Sequence, residues 1–166
     1  MLDRFAAEAA ADPREICGLL LGRDDVIHDA LALPNVAPEP ARGFAISPAD
    51  QFAAARFARA AGLAVVGCYH SHPSGNLSPS AADLAEAAQD GFYWLIIDGA
   101  RRRLWISRAG GQIAGRFDPV ELQIIEAPAF RESSPWNLQA HLQPAGASAN
   151  RRRGTSQAPR QGPSPQ

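Results

Sequence analysis

The sequence contains no lysine: all sixteen basic residues in its 166 positions are arginines, set against seventeen acidic residues for a formal net charge of -1. A chain so balanced carries no general attraction for polyanions, which argues against nucleic acid as a partner. The two "RRR" clusters, at 101–103 and 151–153, are short and far apart. Each reads as a solvated turn or tail rather than a phosphate-binding stripe. Cysteine is scarce as well. Cys17 and Cys68 both sit inside apolar runs, where the thiol acts as a small hydrophobe, so no disulfide framework is expected. No window approaches the roughly 18 consecutive apolar residues of a membrane span. The N-terminal "MLDRFAAEAAADPRE" lacks the basic start, apolar stretch and small-residue cleavage site of a secretory signal. The expectation from these absences is a cytoplasmic protein with neither membrane nor nucleic acid as partner; they leave its oligomeric state open.

What is present is a hydrophobic content of 46 %, enough for one domain with a sizeable core. Composition changes once, near Pro144, where the text becomes "PAGASANRRRGTSQAPRQGPSPQ" and large apolar residues stop. Such a segment buries too little surface to offset the entropy of ordering it. The expected organisation is therefore a folded domain over 1–120, a partly ordered extension over 121–143 and a disordered tail over 144–166. Deleting everything from Ala145 onward is expected to leave the thermal midpoint nearly unchanged. A large fall in the melting curve of the truncated protein would show instead that the tail docks.

Within the domain, "DRFAAEAAA" predicts a short helix closed by Asp12-Pro13. The runs "EICGLLLG" and "VIHDALAL", joined by the polar "RDD", predict a strand pair. In "SPADQFAAARFARAAG", Ser47 is placed to cap a helix with Pro48 in its first position and Gly62 at its end. "LAVVGCYHSH" is β-prone, "SAADLAEAAQDG" predicts a helix ending at Gly91, and "FYWLIID", "RLWISR" and "QIAGRF" predict three more strands. Strands interspersed with helices imply a sheet covered by helices.

Chemistry concentrates in "HSHPSGNLSPSAAD". If the strand that starts near Leu63 continues to His72, period-two alternation turns His70 and His72 to the same face. The loop through Pro73, Gly75 and Pro79 then leads to a helix start at Ser80 with Asp83 in its first turn. Two imidazoles and a carboxylate suit zinc, whose catalytic sites keep three protein ligands and one open position. A water at that position is lowered to a pKa of about 7. Ser80 and Asp83 also have the spacing of a helix cap, which would ask nothing more of them than to satisfy backbone donors. The isolated His28 and His141 carry no such pattern.

His70-x-His72, seven residues, Ser80, two residues and Asp83 resembles the JAMM motif of the MPN/JAB metalloprotease family. The glutamate that this family places before a Gly-rich apolar run is matched by Glu15 in "EICGLLLG", and the resemblance extends over roughly residues 3 to 117, including "SPADQF" and "WLIID". It implies a three-layer α/β (α+β) fold of the cytidine-deaminase-like JAB/MPN kind, a mixed sheet flanked by helices. It further implies His70, His72 and Asp83 as Zn2+ ligands, Glu15 as the general base that hydrogen-bonds the metal's water, and Ser80 as hydrogen-bond donor to the oxyanion. The family's compact bacterial members carry a strand before the first helix, which this sequence does not show. It also shows no insertion of the kind with which eukaryotic deubiquitinases grip polyubiquitin. The implied function is a zinc metallopeptidase that hydrolyses the amide bond after the C-terminal Gly-Gly of a ubiquitin-like sulfur-carrier protein. The alternatives are a non-catalytic interaction module of the same family and a RadC-like protein associated with DNA repair. A zinc nucleoside deaminase would need a Pro-Cys-x-x-Cys that is missing.

Overall fold

The computed structural model describes residues 2–124. The expected tail, all but the first four residues of the expected extension, His141 and the second arginine cluster lie outside them. A helix, α1 (Leu2–Ala11), precedes two antiparallel strands, β1 (Cys17–Arg23) and β2 (Val26–Leu33). The polar break between the strands is a two-residue turn in which Asp24 and Asp25 have φ of 53° and 60°. These left-handed values are those of the primed turn whose twist matches a hairpin, and aspartate tolerates them better than most residues.

The second helix, α2 (Pro48–Ala60), starts as its sequence predicts: the Ser47 side chain accepts the Asp50 N–H at 3.1 Å, Pro48 opens the helix, and Gly62 follows its end with φ 71°. Then come β3 (Ala64–Ser71), α3 (Ala81–Glu86), β4 (Tyr93–Asp98), β5 (Arg101–Gly111) and β6 (Gly115–Val120). The sheet order is β2-β1-β3-β4-β5-β6, and β3 and β4 are its parallel neighbours. A parallel pair needs a crossover, so the chain must leave the carboxyl end of β3, pass over one face and return. Residues 72–92, with α3, make that passage. Among the described residues, no helix is long and apolar enough to cross a membrane.

Both faces of the sheet are covered. Tyr69 and His70 are consecutive in β3 and point to opposite sides. On one side Phe5 of α1 stacks on Tyr69 with ring centroids 4.2 Å apart, in a core shared with Leu20, Leu95, Ile97 and Leu104. On the other side Phe44, just ahead of α2, stacks on His70 at 4.5 Å, and α2 buries Ala54 and Ala58. The mixed sheet between helical layers agrees with the fold class expected from the sequence.

Gly18 shows how closely the first side is packed. A Cβ there would lie 2.0 Å from the Leu31 carbonyl oxygen and 2.5 Å from the Tyr69 ring. Gly18→Ala must therefore push β2 or the Tyr69–Phe5 stack aside, at an expected cost of about 1–3 kcal/mol or more. Thermal melting checks this, with roughly 4–8 °C lost per kcal/mol in a small domain. An unmoved midpoint would mean that the strands part without penalty.

Three local expectations are corrected. The helix expected to run to Gly91 stops at Glu86, because tertiary partners claim the Ala87 carbonyl and the Gly91 N–H, which a continued helix would bond to each other, and hold the segment between them. Arg116 donates to the Ala87 carbonyl and Ser107 to that of Gln89, while Gly91 N–H donates to Ser107 at 2.8 Å. The arginines at 101–103 are not a free turn but the start of β5, with Arg101 paired to Asp98 and Arg103 lying over the Trp105 ring at 4.6 Å. The final strand begins at Gly115 rather than at Gln112, since residues 112–114 form the reversal after a longer β5.

Candidate metal centre

His70 is the penultimate residue of β3 and His72 follows one residue beyond the strand, kept extended by its N–H to the Ile97 carbonyl of β4 at 2.8 Å. Their side chains converge as alternation predicts, with the two Nε2 atoms 2.9 Å apart. The crossover brings Asp83 back over this strand end, its Oδ1 3.2 Å from His70 Nε2 and its Oδ2 3.4 Å from His72 Nε2. Crevices outside the carboxyl ends of parallel strands are the usual place for a site in such sheets. All three side chains are buried: His70 at 0 % exposure, Asp83 at 4 % and His72 at 6 %.

Glu15 arrives from another part of the chain. Antiparallel pairing of β1 with β3 sets Cys17 opposite His70, which carries the residues just before β1 to the same sheet end. The Glu15 backbone is held at both its polar groups: its N–H donates to the Pro40 carbonyl at 2.7 Å, and its carbonyl accepts from Asn35 Nδ2 at 2.8 Å. Next to it, Ile16 N–H donates to Ser71 Oγ at 3.0 Å. Glu15 as a residue is 7 % exposed, and a carboxylate oxygen of it lies within 4.8 Å of ring nitrogens of His70 and His72.

The charges follow from this burial. The Glu15 carboxyl is pushed up to about 7 by desolvation, with His72 pulling it down and Asp83 pushing it further up. Asp83 is also desolvated, yet its bonds to His70, His72 and the Ser80 N–H hold it well below the usual carboxylate range. Burial lowers the pKa of His70 and so favours its neutral ring, against the pull of Asp83. For His72 burial works in the same direction, but the bonds to Asp83 and to the Asn76 carbonyl outweigh it and raise the pKa. The Cys17 thiol, on the same side of the sheet, is pushed up to about 12 by burial, which makes it a packing group rather than a thiolate donor.

A divalent ion fits this donor set. Ligands about 2.0–2.1 Å from a tetrahedral ion stand roughly 3.4 Å from one another, and the three edges here are 2.9, 3.2 and 3.4 Å. Two imidazoles and a carboxylate suit a borderline cation such as zinc. The partners behind the two rings differ. His72 Nδ1 bonds the Asn76 carbonyl at 2.6 Å, whereas His70 Nδ1 is buried with no hydrogen-bond partner among the described residues, its ring packed between Phe44 and Trp94.

Ser80 is the helix cap that its spacing allowed. Its Oγ accepts the Asp83 N–H at 3.2 Å, while Asp83 Oδ2 accepts the Ser80 N–H at 2.6 Å. The capping carboxylate is the same one that faces the two histidines, so the cap aims it. Among the described residues the Ser80 hydroxyl proton goes to no protein acceptor. Thus the structure brings Glu15, His70, His72, Ser80 and Asp83 together, and leaves His28 exposed on β2.

Asn35, Phe44 and Asn76 were not anticipated from the sequence. Asn35 organises the segment between β2 and α2, accepting from the N–H groups of Ala37 and Ala45 and donating to Glu15 and Gly43. An asparagine among the prolines of "LPNVAPEP" was a turn signal, but nothing local indicated which backbone it would hold.

A family model described as prokaryotic homologs of the JAB domain matches residues 1–107. The chain is similar to a desampylase of Haloferax volcanii, 38 % identical over 91 residues that make up 53 % of this chain and 66 % of that protein. It is also similar to a probable TtuB-protein conjugate cleaving protease of Thermus thermophilus, 37 % identical over 45 % of this chain and 50 % of that one. The chain thus spans between half and two thirds of the length of these curated relatives. The solution structure of a protein from Desulfitobacterium hafniense superposes with a TM-score of 0.63 at 29 % identity, covering 75 % of this chain and 88 % of that one.

Proposed function

The chain belongs to the family of prokaryotic JAB-domain proteins, and on that premise we propose that it is a zinc metallopeptidase acting on ubiquitin-like conjugates. The bond cleaved is the amide after the C-terminal Gly-Gly of a ubiquitin-like, sulfur-carrier-type protein. The observation that carries this reading is the buried triangle of His70, His72 and Asp83 with the Glu15 carboxylate beside it. The relatives' names, a desampylase and a conjugate-cleaving protease, favour cleavage over an interaction module or a RadC-like role.

In this proposal His70, His72 and Asp83 hold Zn2+, which when bound supplies Lewis acidity and a water acidic enough to react near neutral pH. Glu15 is the proton carrier. A buried carboxylate beside the two histidines is placed to take a proton and return it to a leaving amine. The Ser80 hydroxyl, whose oxygen is fixed by the Asp83 N–H, keeps its proton for the carbonyl oxygen of the bond under attack.

The sheet supports an extended substrate tail. Among the described residues β2 has no partner on its outer side, and its last residue, Leu33, pairs with Cys17, which in turn pairs with His70. That free edge therefore ends two strand spacings from the site, roughly 10 Å. A tail added there forms main-chain bonds, and diglycine lets its backbone approach a narrow cleft. The test is mass spectrometry of carrier adducts incubated with zinc-loaded protein, with an Ala-Ala-terminated carrier as control. Cleavage after Gly-Gly alone is the expected result. If no diglycine-terminated adduct is cut, the proposal is wrong.

A further inference from the structure

We propose that Arg101 and Trp105, two side chains of β5, are positioning residues for His72, acting through the loop 73–79 that joins the histidines to α3. This rests on the reading of His72 as a metal ligand. Three consecutive carbonyls of the loop each accept a bond from a different side chain. The Gly75 carbonyl takes Arg101 Nη2 at 2.9 Å, that of Asn76 faces His72 Nδ1 at 2.6 Å, and that of Leu77 takes Trp105 Nε1 at 2.9 Å.

The middle bond decides the chemistry of the ring. A carbonyl oxygen only accepts, so His72 Nδ1 must carry the proton, and in the neutral ring the Nε2 lone pair is then turned toward His70 and Asp83. The direction of the Asn76 carbonyl thus sets the tautomer, and β5 fixes that direction from both sides. Arg101 is itself aimed by Asp98, which accepts from both Nε and Nη2. Trp105 is 2 % exposed and has Arg103 over its ring, so its N–H has no freedom to wander. Gly75, with φ 81°, leaves the peptide ahead of Asn76 easy to rotate once the flanking bonds are gone.

The experiment uses the full chain with 15N-labelled histidine, metal-free and at mildly alkaline pH, together with zinc titration against a chromophoric chelator. The variants are Arg101→Met, Trp105→Phe and, as rescue, Arg101→Lys. Wild type is expected to show His72 as the single Nδ1–H tautomer. Arg101→Met and Trp105→Phe are expected to show both tautomers and to lose about 10-fold in zinc affinity, the lower end for groups behind a ligand. Arg101→Lys should recover most of the loss. A tautomer and affinity unchanged in both Arg101→Met and Trp105→Phe would overturn the proposal. If Trp105→Phe does not fold, Arg101→Met decides alone, since that side chain is 64 % exposed and outside the core. If wild type binds no zinc, the metal reading fails, and the tautomer comparison still decides whether β5 positions the ring.

Discussion

Glu15→Gln is expected to lower conjugate cleavage by about 10²–10⁴-fold while leaving the melting curve and zinc content close to wild type. Glutamine has nearly the shape of glutamate, and the position is fixed through its backbone by Pro40 and Asn35 rather than through its side chain. The substitution removes the proton acceptor and little else. It also removes a carboxyl whose ionised form is disfavoured by burial, so no loss of stability is expected from the missing charge. Turnover near the wild-type rate would exclude Glu15 as the base. Loss of zinc together with activity would make Glu15 a ligand, as its place within 4.8 Å of both histidines allows.

His70→Ala and Asp83→Ala are each expected to abolish stoichiometric zinc binding, a loss well beyond the 10–100-fold typical of groups behind a ligand. Elemental analysis after reconstitution and dialysis is the measurement. Asp83→Ala also breaks the capping box, so its effect needs a control. Ser80→Ala removes the acceptor for the Asp83 N–H, at an expected cost of about 1 kcal/mol, without touching the carboxylate. Zinc retained in Ser80→Ala and lost in Asp83→Ala separates ligation from capping. Full zinc content in His70→Ala would remove that ring from the site, and metal-free wild type would dismiss the metal centre altogether.

The sequence alone determined everything that depends on neighbours a few residues apart. Strand alternation turned His70 and His72 to one side, the three-residue step from Ser80 to Asp83 made a cap, and Ser47, Pro48 and Gly62 bounded α2, because these relations follow from backbone geometry that a short segment carries with it. The likeness of Glu15 and the histidine motif to one family reached further, naming a partner for the histidines 55 residues upstream of His70 without saying what would bring it there. That was decided by tertiary structure: the antiparallel register that sets Cys17 against His70, and Asn35, which holds the Glu15 carbonyl from beyond β2. The end of α3 was decided in the same way. Nothing in "SAADLAEAAQDG" stops a helix at Glu86, but Arg116 takes the Ala87 carbonyl and the Ser107 carbonyl takes the Gly91 N–H, the two groups that a continued helix would bond to each other. Likewise the "RRR" of 101–103 reads as solvent-facing until β4 pairs with it and a loop carbonyl comes within reach of Arg101. Where donors and acceptors from distant segments compete with local ones, the outcome depends on the packing of the whole sheet, which no window of sequence contains.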